Sequence, residues 1–336
     1  MGIPGYPGRA VRNPGERQLA TGSIQGYAAE WPASGGPRQG FWEKVIALAS
    51  ASALIAATGP MLMSQPDEAG VAAGASAKPA LSDAGRPETL IAGYGGVTHT
   101  QASDVHFSKP GVTDLTAHGV QWIGRPFKSP IYYGVRAMHW PSSGGFGSML
   151  DFTHAKAISV REQTLRFSGT RNGKPADGSA LNDATFRHLE FSHGHNMLTL
   201  NGLASLGRIT SVLRPYVGGG LGLSLPHTEV QFHDDAKRTY EYQITGPVGQ
   251  VVAGIEVRLP RLSVLLEYKF SLAPYWVPLS GRDGRKGNAF IDYWNQITGW
   301  LRGEAPENGT LTTTLATHHG IVAIGYRHAG PPAATR

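Results

Sequence analysis

Between Val212 and Phe270 the chain alternates apolar and non-apolar side chains with a period of two, through three successive segments. Leu213, Val217, Leu221, Leu223 and Leu225 fall on one side, opposite Arg214, Tyr216, Gly218, Gly220, Gly222 and Ser224. Val251, Ala253, Ile255, Val257 and Leu259 then oppose Gln250, Gly254, Glu256 and Arg258. After Pro260-Arg261, Leu262, Val264, Leu266, Tyr268 and Phe270 oppose Ser263, Glu267, Lys269 and Ser271. A period of two places successive side chains on opposite faces of a sheet, so these are long strands joined by short turns.

The non-apolar face carries full charges and glycines. Water covers such a face in a soluble sandwich, whereas in a narrow transmembrane barrel it packs inward and the apolar face meets lipid. Strands of about ten residues suit a tilted bilayer crossing, and short turns alternate here with long connections. The expected fold is therefore all-β, an antiparallel transmembrane β-barrel. Candidate strands are 89–100, 113–124, 131–140, 146–157, 195–204, 210–225, 243–259, 261–273 and 309–327. Barrels of this type close with an even number, so eight are expected and one candidate is surplus, the first two being the weakest. The short connections 141–145, 205–207 and 260–261 belong at one end. The long ones, 158–194, 226–242 and 274–308, share the other rim.

Before the barrel, residues 1–40 are Gly/Pro/Arg-rich and aperiodic, which predicts a disordered leader. Lys44 followed by an Ala-rich apolar run predicts a signal peptide or signal anchor over 41–64. Residues 65–87 read as a low-complexity linker, 88–328 as the barrel and 329–336 as a tail. The chain has no cysteine, which excludes disulfides and thiolate chemistry. Its net charge of +6 is scattered, with no basic helix or aromatic RNA-binding motif, so the partner expected is an anionic lipid surface and not nucleic acid. No nucleotide-binding motif stands out.

Titratable groups gather where strands meet the long connections: Asp151 to Lys156, Glu190 to Asn196, Pro226 to Glu229 and Tyr240 to Gln243. If these meet at one rim, their imidazoles and carboxylates are suited to moving protons or holding a divalent cation. His193 and His195 are the candidate metal pair. His318-His319 lies within a strand, where neighbours face opposite ways, and reads as structural. Arg136, Asp151, Arg214, Glu256, Arg258, Glu267 and Lys269 read as the ionic interior of the barrel. Ser192-His193 beside Glu190 invites a lipid deacylase, but alternation points the two side chains apart, and the chain has no G-x-S-x-G elbow. The segment AFIDYWNQITGWL has helical apolar spacing and suits either a lipid interface or packing on its own loop.

The segments PIYYGVRAMHW, GFGSMLDFTHAKAI, LEFSHGHNMLTLNGL, RPYVGGGLGLSLPHTEV and YEYQITGPVGQVVAGIEV resemble the lipid A oxidase family of alphaproteobacterial outer-membrane proteins. The likeness spans Tyr94 to Tyr326. It implies oxidation of the proximal glucosamine of lipid A to 2-aminogluconate, with dioxygen as co-substrate and hydrogen peroxide released. Carried over as site positions are Phe152, Thr153, His154, Ala155 and Lys156, with His227, Glu229, Glu241, Tyr242 and Gln243. His154, His227, Glu229 and Glu241 are expected to act as bases or cation ligands and Lys156 as a partner for lipid phosphate, with Tyr242, Gln243 and Asn196 binding substrate. The chain departs from the family at His193-Gly194-His195-Asn196, where an Asp-Gly-Leu-Asn-like segment is expected, and in its tail beyond Tyr326. The alternative is a non-catalytic structural or binding barrel.

Overall fold

A computed structural model describes residues 86–141, 145–283 and 288–330. The predicted leader, signal segment and most of the linker lie outside the described residues, as does most of the tail. The strands are β1 (Glu88–Thr100), β2 (Ser103–Lys109), β3 (Thr113–Val120), β4 (Trp122–Ile123), β5 (Tyr133–Trp140), β6 (Phe146–Ser159), β7 (Thr164–Arg171), β8 (Lys174–Pro175), β9 (Gly178–Leu181), β10 (Phe186–Ser205), β11 (Leu213–Ser224), β12 (His227–Phe232), β13 (Thr239–Tyr242), β14 (Gly246–Arg258), β15 (Leu262–Pro278) and β16 (Thr310–Ala329). Among the described residues two helices accompany them, α1 (Asn182–Thr185) and α2 (Ala289–Arg302).

Antiparallel pairing runs β1-β5-β6-β10-β11-β14-β15-β16 and returns from β16 to β1, closing the sheet into a barrel. Closure leaves no ring strand with an open edge, which is what a lipid environment demands of a sheet. On the outer surface Ile91, Val135, Leu150, Leu200, Ile255, Leu266 and Ile324 are all exposed. The alternate positions turn inward onto a fully buried charge network. Asp151 receives Lys269 Nζ at 3.0 Å and lies 3.2 Å from Arg136 Nε, while Arg136 and Tyr216 both donate to Glu267. Nearer the turn end, Arg214 and Arg258 hold Glu256 and Glu88, and Ser263 donates to Glu256 at 2.6 Å. Gly134 faces Tyr94 in the β1–β5 ladder, and its missing Cβ is the space the Tyr94 ring occupies. All the charges assigned to the interior from the alternation are found there.

The wall does not stop at the lipid belt. The 20 residues of β16 span about 65 Å of strand at ~3.3 Å per residue, so even tilted at ~45° they rise past a ~30 Å hydrocarbon layer. Beyond the belt β2, β3 and β7 continue the sheet from β16, β12 and β13 extend it from β10, and β4 pairs with β6. A second core fills this extension, with Phe107, Phe186 and Phe232 rings 4.5–5.5 Å apart.

The three long connections are therefore not loops. Residues 158–194 contain β7, β8, β9 and the first half of β10; 226–242 contain β12 and β13; β15 continues to Pro278. Of the two weakest strand candidates, 89–100 belongs to the closed ring, while 113–124 forms β3 and β4 in the extension.

Candidate functional site on the outer wall

β10 carries the feature that shapes the site. Between Phe191, opposite Ala157, and His195, opposite Ala155, the strand advances four residues while β6 advances two. This bulge is built on Gly194 at φ +145°, a backbone conformation that favours glycine. Without it His193 and His195 share a face. With it His195 turns inward, fully buried, its Nδ1 paired with Tyr275 Oη, and His193 turns outward onto His227, Tyr240 and Glu229. The expected metal pair His193 and His195 is thus separated by the sheet itself.

The bulge also sets Asn196 beside His154 on the outer face. Asn196 Nδ2 donates to the Leu225 carbonyl at 3.2 Å, so its Oδ1 accepts from His154 Nδ1 at 2.8 Å. The proton therefore sits on Nδ1. Nε2 keeps its lone pair, is buried, and has no hydrogen-bond partner among the described residues. Tyr133 stacks on this imidazole at 4.8 Å. Lys156 lies two residues further along the same face and donates to the Lys128 carbonyl at 2.6 Å.

Adjacent to it, His227 lies edge-on to Tyr240 and Tyr242, with centroids 4.4 and 4.7 Å away, and 5.1 Å from His193. Burial, reinforced by His193 and the Arg238 cation, pushes the His227 imidazole down to about 4, so it is neutral near pH 7. Its Nδ1 is also without a partner among the described residues.

Glu229 projects from the same face of β12, held by Arg238 and 3.2 Å from His188 Nδ1, which is itself 3.1 Å from Glu190 Oε1. Donor atoms of His188, Glu190 and Glu229 lie within 4.8 Å of one another. One imidazole and two carboxylates make a nitrogen-and-oxygen donor set that suits a divalent transition ion. Ser192 Oγ stands 3.3 Å from His193 Nδ1, a contact the bulge makes possible and simple alternation excludes. The Glu229 carboxylate faces that same nitrogen at 3.8 Å. A hydrolase relay needs acid and serine on opposite ring nitrogens, so this is not a triad.

The face therefore unites His154, Lys156, Asn196, His193, His227, Glu229 and Tyr242. Glu241 and Gln243 lie elsewhere. In the β12–β13 ladder Glu241 sits opposite Thr228, so it shares neither the His227 nor the Glu229 face. Gln243 donates to Glu241 at 2.9 Å and to the Pro278 carbonyl at 2.7 Å, and burial raises the Glu241 carboxyl. Thr153 turns inward to Lys269 Nζ at 2.6 Å. His319 bonds Tyr132 and Ser271 inside the barrel while His318 bonds Tyr268 outside, so that pair is structural. Sequence reasoning missed His188, Tyr133 and Arg238. The first shares with Glu190 an i, i+2 spacing that becomes meaningful only when 186–190 is a strand.

No protein-family model and no curated protein matches this chain. Among solved structures it is similar to the N-terminal β-barrel domain of Pseudomonas aeruginosa OprF, at 11% identity, with 73% of this chain and 99% of that domain covered and a TM-score of 0.28. The barrel assignment stands on the closed pairing of the sheet.

Proposed function

We propose that this protein is a lipid A oxidase of the bacterial outer membrane, converting the proximal glucosamine to 2-aminogluconate. The observation that carries the reading is position: the imidazole and tyrosine cluster belongs to the outward side of the wall, immediately beyond the exposed apolar belt, with His154 and His227 buried against Tyr133, Tyr240 and Tyr242. An amphiphile held in the leaflet keeps its acyl chains on Leu198 and Leu200 and presents its sugar to His154, whose rung lies two and four positions further along the β6–β10 ladder.

The unpartnered His154 Nε2, buried beside the stacked and exposed Tyr133 ring, accepts the proton of the anomeric hydroxyl once the sugar displaces that ring, as C1 loses its hydrogen. Tyr133 and Tyr242 flank the sugar, and Lys156 offers an ammonium to phosphate. In sum, the hemiacetal loses two electrons and two protons, dioxygen takes them up as hydrogen peroxide, and water opens the resulting lactone to the acid. His188, Glu190 and Glu229 are the residues that would hold a divalent cation, whose role when bound is to handle dioxygen and pass electrons. His193, 3.8 Å from Glu229, links that trio to the His227 side of the cluster.

The deciding experiment incubates the purified full chain in detergent, under oxygen, with lipid A whose proximal glucosamine carries a free anomeric hydroxyl in place of the C1 phosphate. Lipid A should gain the mass of one oxygen atom, with peroxide formed in equal amount. Unchanged lipid A beside correctly folded protein overturns the reading and leaves the second one, a non-catalytic barrel, which the fully packed ionic interior equally supports.

A further inference from the structure

Helix α2 is built the wrong way round for water. An amphipathic helix on a soluble protein turns its apolar stripe to the core and its polar side to solvent. Here the polar side faces the protein. Asp292 is buried and accepts from the Tyr242 amide at 3.1 Å, while Gln296 clasps Ile244 twice, accepting from its amide at 2.7 Å and donating to its carbonyl at 3.0 Å. Tyr293 donates to the Leu225 carbonyl at 3.3 Å. These groups satisfy backbone at the junction between β13 and β14. On the opposite side Phe290, Trp294, Ile297 and Leu301 are 77%, 60%, 37% and 74% exposed, at spacings of four, three and four that form a single stripe.

The place of the helix in the fold says what covers that stripe. Leu225, to which it is bonded, directly follows the last rung of the β11–β14 ladder, Ser224 opposite Gly246, and Ile244 lies two residues before it. The exposed Leu223 and Val251 of those same strands are the upper edge of the apolar belt. The stripe thus continues the lipid-facing surface at headgroup height, where tryptophan is favoured. Asn288 caps the start of the helix, and Gly303, in the left-handed conformation, ends it, so its length is set locally.

We infer that α2 is an interfacial membrane anchor, seated in the outer-leaflet lipid boundary by Phe290, Trp294, Ile297 and Leu301. Through Asp292 and Gln296 it fixes the height of the Tyr242 side of the cluster above the bilayer. The inference rests on the barrel fold and not on the oxidase reading.

The chain contains no cysteine, which makes single-site labelling direct. Trp294→Cys and Leu301→Cys, made separately in the full chain and spin-labelled, are refolded into phosphatidylcholine vesicles, with Val251→Cys as the belt reference and Lys174→Cys as the aqueous one. Heat-modifiable gel mobility confirms that each variant folds. Anchoring predicts that labels at 294 and 301 collide with dissolved oxygen more than with a water-soluble nickel chelate, matching position 251. Chelate accessibility equal to that at 174 overturns the inference, as does spin broadening between copies, which marks a second protein on the stripe. Because the readout is label depth, inactivity toward lipid A leaves this result intact.

Discussion

Asn196 fixes the tautomer of His154. With its amide nitrogen committed to the Leu225 carbonyl at 3.2 Å, only its oxygen is left to face His154 Nδ1 at 2.8 Å, and the imidazole lone pair is left on the buried Nε2. Replacing His154 with Gln should lower lipid A oxidation by about 10²–10⁴-fold, the range for loss of a general base. Asn196→Leu should lower kcat while the barrel still shows heat-modifiable mobility. Full activity in His154→Gln removes it from the chemistry.

Gly194 makes the bulge possible. At φ +145° an added Cβ runs into the Asn196 side chain, whose Cγ is 2.7 Å from where it would stand. Gly194→Ala should destabilise the protein by about 1–3 kcal/mol and reduce turnover through Asn196. Urea unfolding in detergent alongside the oxidation assay would show both effects. Wild-type values in both would mean the wall tolerates a different register there.

His227 makes stability depend on pH. Its imidazole titrates near 4 in the folded protein against 6.5 ordinarily, so between those values the unfolded chain binds the extra proton. Stability should therefore be intact above about pH 6.5 and fall as pH drops toward 4, by at most about 3 kcal/mol. His227→Gln should flatten that segment of the stability curve. A histidine NMR titration showing His227 charged at pH 6 would contradict the burial argument.

Asp151 anchors the interior. Its removal leaves Lys269 and Arg136, both with fully buried side chains, short of a counter-charge. Asp151→Ala should cost about 3–5 kcal/mol in urea unfolding, and the paired change Asp151→Leu with Lys269→Met should recover much of the loss. If the single variant is neutral, water reaches the interior.

The donor trio is open to direct titration. Manganese or zinc added to chelator-treated protein should bind with one site per chain by calorimetry, and Glu190→Gln with His188→Ala should abolish that heat without altering gel mobility. Equal binding by the double variant would place the ion elsewhere.

The barrel was legible because a bilayer imposes an alternation that few other settings require over three long strands, and both the lipid belt and the interior charges follow from it. The extension was not. All six residues of β12 are buried, since that strand is covered on both faces, so the period that reveals a half-exposed strand is lost. The site was half readable for a related reason. His154, His227, Glu229 and Tyr242 share one face by simple alternation. His193 and His195 do not, because the two extra residues of the bulge at Gly194 turn His193 alone out of the alternation, while Phe191 and His195 on either side keep facing inward. Glu241 was assigned by its neighbours in sequence, and the β12–β13 register puts it on the other side.

β15 and β16 hold unbroken register over all 17 residues of β15, from lipid to well outside it. Such a wall has no joint, so the rim above cannot settle independently of the span below. A mismatch between bilayer thickness and the apolar belt is then met by the lipid, which thins or thickens around the cylinder, and not by any give in the rim.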